Sequence, residues 1–147
     1  MEDWQGLIEQ FLEQKGYAWE RNDGLTCFTI QGALEYYPVF VMARKDMLVT
    51  LAQYPSAMPD EKCLEMAHFL HMANFGMLLG NFEIDLDEGE LRFKTCLFLP
   101  EGKPPRACLA RYLFTPALML EKYAPGIRAI LDGRALAGRA LALCEDA

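Results

Sequence analysis

The stretch "HFLHMANFGMLLGNFEIDLDEGELRF", residues 68–93, contains the pattern that decides the fold. Its first half carries almost no charge and includes both histidines of the chain, His68 and His71. Its second half alternates apolar and charged residues on both sides of an acidic turn, which is typical of a β-hairpin. The stretch therefore predicts an apolar helix that ends before Gly80 and leads into two antiparallel strands.

The predicted helix, residues 61–79 with Asp60 as its cap, carries apolar side chains on two adjacent arcs. One arc is suited to pack on a sheet and consists of Cys63, Met66, Ala67, Leu70, Ala73, Asn74, Met77 and Leu78. The second arc consists of Leu64, His68, His71, Met72, Phe75 and Leu79. It needs another cover, either the C-terminal helices of the same chain or another protein chain. The candidate partner or dimer interface on this arc consists of Leu64, His68, His71, Met72 and Phe75.

The hairpin that follows is predicted from strands at residues 81–86 and 91–98. A loop of residues 87–90 sets Leu86 opposite Leu91. The same register places opposite charges across from each other, Asp85 from Arg92 and Glu83 from Lys94. Such cross-strand pairs help to fix the register, so we expect one face of this hairpin to be solvated.

The N-terminal third of the chain predicts a helix and four strands. Apolar residues recur at helical spacing over residues 3–15, between a cap at Asp3 and a stop at Gly16. The sequence Asn22-Asp23-Gly24 is suited to a tight turn between two short strands. Two longer strands follow at about 37–44 and 47–54. The run Val39-Phe40-Val41-Met42 does not alternate, which predicts that both faces of this part of the sheet are covered.

The C-terminal part, from Arg106 onward, is helical in composition. Pro116 and Pro125 lack the N–H that an internal helical turn uses, so they predict a bent or segmented helix. The fold class is therefore α+β, a single antiparallel β-sheet packed by helices in the order α-β-β-β-β-α-β-β-α. We expect one domain over residues 1–147, with residues 134–147 as a short helical C-terminal extension.

Charge and cysteine content limit the classes of partner. The formal net charge of −7 argues against nucleic acid and against an anionic membrane surface, because both require a cationic face. The first residues show neither the basic nor the apolar segment of a signal peptide, and the five cysteines form no CxxC pair. We therefore expect reduced thiols and a cytoplasmic protein.

Motifs for catalysis are weak throughout the sequence. His68 and His71 lie three residues apart and would share a helix face, but a zinc site needs further ligands, which the surrounding sequence does not supply. Ser56, the one serine, lacks the context of a nucleophile, and "DLDEGE" (residues 85–90) departs from a calcium loop at Gly89. We predict no enzyme and no cofactor, and keep a metal-dependent enzyme built on the two histidines as the alternative of a different class.

Two segments carry a resemblance to a known family. The sequence "LHMANFGMLLGNFEIDLDEGELRFKTCLFLPEG" (residues 70–102) and "KYAPGIRAILDG" (residues 122–133), in this order, resemble the YbjN-like family of bacterial proteins. The similarity extends over about residues 4–133, and Asn74-Phe75 matches the family's Asn-aromatic step. Pro116 and the tail beyond Gly133 depart from the family's pattern, which leaves the packing of that region open.

The resemblance implies the fold of type III secretion chaperones, a frequent homodimer and no catalytic residues. It therefore implies a non-enzymatic, chaperone-like domain that holds a protein partner or client on apolar and sheet-edge surfaces. The alternative is a stoichiometric regulator of a signalling or stress pathway that binds a folded partner, in line with the family's label as a sensory transduction regulator.

Overall fold

The computed structural model describes residues 4–44, 46–99 and 106–145, and these residues form four helices and one six-stranded antiparallel sheet. The elements follow in the order α1 (Trp4–Gln14), β1 (Glu20–Asn22), β2 (Leu25–Gln31), β3 (Tyr36–Ala43), β4 (Met47–Gln53), α2 (Asp60–Phe75), β5 (Asn81–Ile84), β6 (Leu91–Phe98), α3 (Arg106–Leu131) and α4 (Ala137–Glu145). The strands lie in the order β1-β2-β3-β4-β6-β5. The predicted α+β class and its element order are confirmed, whereas the predicted cap Asp3 lies outside the described residues.

The first hairpin forms where the sequence predicts it. Asp23 and Gly24 both have positive φ, 50° and 79°, which is the backbone of the tight turns that suit the twist of paired strands. Helix α1 packs beside this hairpin, because the buried Glu9 carboxylate accepts hydrogen bonds from Arg21 and from the Thr26 hydroxyl. Helix α1 ends at Gln14, and Gly16 adopts a φ of 85° just after it, so the predicted stop at Gly16 is confirmed.

The two faces of the sheet differ in burial. On one face the strands present buried side chains to the helices, among them Phe28, Tyr37, Val39, Val41, Leu48, Ala52, Phe82, Leu91 and Phe93. The alternating residues on the other face are all at least partly exposed. We call this second side the helix-free face, since none of the four helices of the described residues buries it. The prediction that both faces are covered around Val39–Met42 is therefore wrong: Phe40 and Met42 lie on the helix-free face.

Helix α2 is shorter than predicted. It runs from Asp60 to Phe75 with Pro59 at the N-cap, so Asp60 lies in the first turn and does not cap the helix. Because the helix ends at Gly76, helical spacing does not apply to the next residues, and Leu78 is exposed instead of packing on the sheet. Phe69, which belongs to neither predicted arc, is fully buried against Tyr123 of α3.

The register of the second hairpin differs from the predicted one by two residues. Ile84 lies opposite Leu91, and Glu83 lies opposite Arg92. The turn begins early because the Asp85 carboxylate accepts hydrogen bonds from the backbone N–H groups that follow it, those of Asp87 and Glu88. Leu86 therefore lies in the turn and is exposed. The Glu83 carboxylate still binds both Arg92 and Lys94, each at 2.8 Å.

Helix α3 continues through both of its prolines. It extends from Arg106 to Leu131 with Pro116 and Pro125 inside it, so the prediction of separate segments is wrong. Each proline removes one backbone hydrogen bond. Pro116 is itself buried, and Leu113, Ala117 and Leu120 are buried beside it under the sheet, so tertiary packing offsets the lost bonds.

The loop between β2 and β3 is held to α3 by two charged side chains. The Glu121 carboxylate accepts hydrogen bonds from the Tyr37 hydroxyl and from the backbone N–H of Leu34. The Arg128 guanidinium donates to Glu35 at 3.0 Å and to the carbonyl of Leu34 at 3.0 Å. Burial and the neighbouring Glu35 carboxylate raise the pKa of Tyr54, which also contacts Glu35, to about 12.

Stability should depend on pH through Glu121. Burial alone raises the pKa of this carboxyl, but the hydrogen bonds from Tyr37 and from backbone N–H groups outweigh burial and hold the pKa below its ordinary value of 4.5. A lowered folded-state pKa adds stability above the ordinary value, and this stability is lost as the pH falls through the folded value. We expect Glu121→Gln to reduce the free energy of unfolding in urea at pH 7, with a smaller difference from the parent protein below pH 4. A difference that does not change with pH would contradict this assignment.

Three helices meet at Gly126 in α3. A Cβ atom at this position would lie 2.7 Å from the Phe69 ring of α2, 2.8 Å from the Ala140 carbonyl of α4 and 2.9 Å from the Cys144 sulfur. The N–H of Gly126 also donates to the Cys144 sulfur at 3.2 Å, and burial raises the pKa of that thiol. The absence of a side chain therefore lets α2 and α4 pack directly on the backbone of α3.

Gly126→Ala should destabilise the protein. The added methyl group has no room, because the Ala140 carbonyl cannot rotate away, and overpacking of this kind costs about 1–3 kcal/mol. Gly138→Ala in α4 is the matched control, since a Cβ there meets nothing within 4 Å and alanine favours the helix by up to about 1 kcal/mol. Urea unfolding should move the two variants in opposite directions.

Candidate protein-binding site

Four of the five predicted interface residues are exposed on one side of α2. Leu64, His68, His71 and Phe75 recur at intervals of four, three and four residues, so they form a single stripe along the helix. The exposed fraction is 77% for Leu64 and 90% for Phe75. Met72 differs, because it is partly buried and packs against the core. We call the five residues together the α2 surface.

Two exposed leucines follow the helix and lie outside the α2 surface as defined. Leu78 is fully exposed, and Leu79 is about half exposed, immediately after the helix ends. The sequence pattern placed Leu78 on the packed arc because the predicted helix ran to residue 79, whereas α2 ends at Phe75. The stop at Gly76 was the available signal, since glycine commonly ends helices.

The two histidines lie together on the surface. Both are exposed on α2, and the spacing of three residues brings them to the same side. In the described ranges 4–44, 46–99 and 106–145, no three side chains of His, Cys, Asp or Glu are grouped closely enough to hold a metal ion. What the geometry offers is two imidazoles beside exposed Leu64 and Phe75, a surface of mixed apolar and hydrogen-bonding character.

One edge of the sheet is occupied by a side chain. The Asn74 carboxamide donates to the carbonyl of Phe82 at 3.0 Å and accepts from the N–H of Phe82 at 2.7 Å. It therefore bonds the peptide groups of edge strand β5 as a neighbouring strand would. This contact also fixes the end of α2 against the sheet. In the Asn74-Phe75 step, Asn74 therefore bonds the sheet and Phe75 is exposed to solvent.

Asn74→Ala should expose this edge. Removal of the carboxamide leaves the N–H of Phe82 without its partner, and we expect about 1–3 kcal/mol lower stability. Amide hydrogen exchange followed by NMR should show lost protection at Phe82. Asn81→Ala is the control, because the Asn81 side chain donates to the carbonyl of Phe82 and not to its N–H. Full protection at Phe82 in Asn74→Ala would contradict this role.

The other edge of the sheet is open along part of β2. The two-residue turn makes Asn22 and Leu25 a hydrogen-bonded pair, so alternate residues of β2 direct their peptide groups toward β1. Strand β1 begins at Glu20, opposite Cys27, and the peptide groups of Thr29 therefore face outward beyond the first residue of β1. This position suits the addition of an extended strand.

A cleft of about 580 Å³ lies beside this open edge. Its walls include aromatic residues from before β1 and from the sheet, namely Tyr17, Trp19, Phe28 and Phe40. The Trp19 indole donates to Glu13 at 3.0 Å, so α1 holds this wall in place. Peptide groups beside apolar pockets are the combination by which sheet edges bind extended peptides. Nothing in the sequence pattern of β2 predicted this cleft. It lies where the partner strand β1, which begins at Glu20, no longer covers β2.

Comparison with solved structures identifies the fold. The crystal structure of YbjN from E. coli, a proposed transcription regulator, superposes with a TM-score of 0.60 at 13% sequence identity, over 90% of this chain and 93% of YbjN. The chain has a YbjN-like fold. The prediction made from the two sequence segments is thus confirmed at the level of the fold, and an identity this low carries no specific function.

Other comparisons add little to the YbjN-like fold. The Yersinia pestis type III secretion chaperone SycH, solved with a fragment of YscM2, gives a TM-score of 0.49 at 15% identity, over 80% of this chain and 96% of SycH. That similarity is too low to carry an argument, so the likeness to chaperones stays a prediction. The sequence matches no protein-family model and no curated protein. No helix in the described ranges is long and apolar enough to cross a bilayer.

Proposed function

We propose that this chain is a non-enzymatic, chaperone-like domain that holds a protein partner on the α2 surface and at the open edge of β2. The observation that carries the proposal is the exposure of Phe75, an aromatic residue that is 90% exposed on a helix whose other side lies in the core. Exposed aromatic and leucine side chains that share one stripe are typical of protein interfaces.

The spacing of the stripe supports a helical partner at the α2 surface. Intervals of four and three residues are those at which one helix presents a continuous seam to another. The open edge of β2 supports a second kind of contact, with extended backbone. A domain that offers both surfaces is suited to a client with helical and extended segments. The net charge of −7 favours a client that is itself basic or apolar.

We further propose a homodimer in the cytoplasm, as the resemblance to the family implies. The alternative function is a stoichiometric regulator of a signalling or stress pathway, which would hold a folded partner. The small size of the α2 surface favours the regulator, because one short stripe with two histidines can recognise one folded helix. The state of the captured partner separates the two functions: a chaperone retains unfolded segments, and a regulator retains a folded protein.

Phe75→Glu should weaken partner binding and leave the fold unchanged. A carboxylate at the centre of an apolar contact has no partner, and loss of an aromatic anchor lowers affinity by roughly tenfold or more. Leu118→Glu on α3 is the matched control, because it places the same charge at an exposed leucine away from the α2 surface. Both variants should keep the circular dichroism spectrum and melting temperature of the parent protein.

Binding is measured in two ways. Each variant is used to capture partners from the cells that produce the chain, and each is added to chemically reduced insulin to test whether it slows aggregation. The chaperone proposal predicts that the parent protein and Leu118→Glu slow aggregation and that Phe75→Glu does not. Partner capture without any effect on aggregation would favour the regulator. Equal behaviour of all three proteins in both assays would contradict a role of the α2 surface.

A further inference from the structure

The cleft beside the open edge of β2 has one charged side chain in its wall. The residues that line the cleft are 16–20, 27–29 and 38–40, and Glu20 is the single residue among them with a formal charge. Its neighbour Arg21 lies on the other face of β1, where it binds Glu9 of α1. Burial and, after it, the Glu20 carboxylate raise the pKa of the Cys27 thiol, so this thiol stays neutral at pH 7. The cleft therefore carries one negative charge, which attracts a cation.

Glu20, Cys27 and Phe40 form a row across the helix-free face at this cleft. Residues that are paired between strands share a face, and Cys27 is paired with Glu20 on one side and with Phe40 on the other. Two strand intervals, about 10 Å, separate Glu20 from Phe40. The small Cys27 side chain between them leaves room, with a carboxylate on one side and an aromatic ring on the other. These two groups bind guanidinium and ammonium ions, the first by an ion pair and the second through the face of the ring.

The backbone beside this row is suited to an extended peptide. Peptide groups face outward at alternate residues of β2, so Gln31 presents its groups at the open edge as Thr29 does, and both residues are exposed. A strand antiparallel to β2 would exchange two hydrogen bonds with each of them. Its residue opposite Thr29 would lie on the same face as Glu20, about 7 Å along the edge, a distance that an arginine or lysine side chain spans.

We propose that the cleft binds an extended segment of a client protein through one basic side chain, held between the Glu20 carboxylate and the Phe40 ring. The inference rests on the proposed function and deepens it, because it states which client segments the open edge of β2 selects. A neutral side chain gains nothing from Glu20, and an acidic one is repelled by it. The site thus distinguishes among extended segments by the charge of a single residue, the one opposite Thr29.

Short synthetic peptides test the proposal by fluorescence. The chain has two tryptophans, Trp4 in α1 and Trp19 in the wall of the cleft, so Trp4→Phe leaves Trp19 as the reporter. The peptide is acetyl-Thr-Val-Thr-Val-Arg-amide, whose arginine lies opposite Thr29 when its central threonine lies opposite Gln31. Its control ends in citrulline, which has the shape of arginine and no charge. We expect the arginine peptide to bind roughly three- to tenfold more tightly than the citrulline peptide, with a smaller difference at high salt.

Charge variants at position 20 give the decisive comparison. Glu20→Gln should bind the arginine and citrulline peptides equally, and Glu20→Arg should prefer a peptide that ends in glutamate. Glu88→Gln is the matched control, because it removes the same charge from an exposed turn residue and should keep the preference for arginine. Glu20 is exposed as well, so all of these variants should keep the circular dichroism spectrum of the parent protein.

Cysteine alkylation locates the bound peptide on the parent chain. Cys27 lines the cleft, whereas Cys96 is exposed on β6, at the other side of the sheet. The arginine peptide should slow the reaction of Cys27 with iodoacetamide and leave that of Cys96 unchanged, as followed by mass spectrometry. Equal rates at Cys27 with and without saturating peptide would place the peptide elsewhere and overturn the inference.

The remaining outcomes separate this inference from the proposed function. If the arginine and citrulline peptides bind the parent protein equally, the inference fails and the proposed function stands, because an open edge accepts strands of any charge. If neither peptide binds, the inference fails together with the contact between the β2 edge and extended backbone. N-acetylarginine methylamide that binds as tightly as the whole peptide overturns the role of the strand. Phe75→Glu should bind the peptide as the parent protein does, and lost binding in this variant would overturn the placement in the cleft.

Discussion

The close approach of three helices at Gly126 sets the arrangement on which the surfaces of this protein depend. Because position 126 has no side chain, Phe69 of α2 and the backbone of α4 both reach the backbone of α3. This contact fixes the rotation of α2 about its own axis. With Phe69 turned into the junction, Leu64 and Phe75 are necessarily turned away from the core. Exposure of the α2 surface is thus a consequence of packing, and α4 does not cover it although it lies beside α2.

The sheet and the helices divide the molecule into two sides with separate roles. The helix side contributes the α2 surface, whose spacing suits another helix. The helix-free side contributes a sheet face with apolar residues at the outward positions of β3 and β4, among them Phe40 and Leu51. Between them lie two edges, one bonded by Asn74 and one open beside β2. The α2 surface shares no residue with the sheet, whereas Phe40 lies both on the helix-free face and in the wall of the cleft beside β2.

Residue patterns predicted the order of elements, the first turn and a second apolar arc on α2, because each depends on neighbours in sequence. They left open whether the chain's own helices cover that arc. What depends on distant contacts was not predictable in the same way. The register of β5 follows from the turn that Asp85 closes, and the continuity of α3 through Pro116 follows from its packing under the sheet. Likewise, the apolar run around Phe40 predicted that both faces are covered, but the run shows only that both faces carry apolar residues. It gave no information on whether a helix of the same chain would cover the second one.

The carboxamide of Asn74 has a consequence for how far this sheet can grow. A sheet with two free edges can add a strand at each end, and every addition leaves a new edge, so nothing limits polymerisation. In this chain Phe82 on the β5 edge is already bonded by Asn74 of α2. A strand that added beside β5 would have to displace this side chain, whereas a strand added beside β2 would find the peptide groups of Thr29 unoccupied by β1. One side chain thereby takes the peptide groups of Phe82 out of the edge at which a further strand would add.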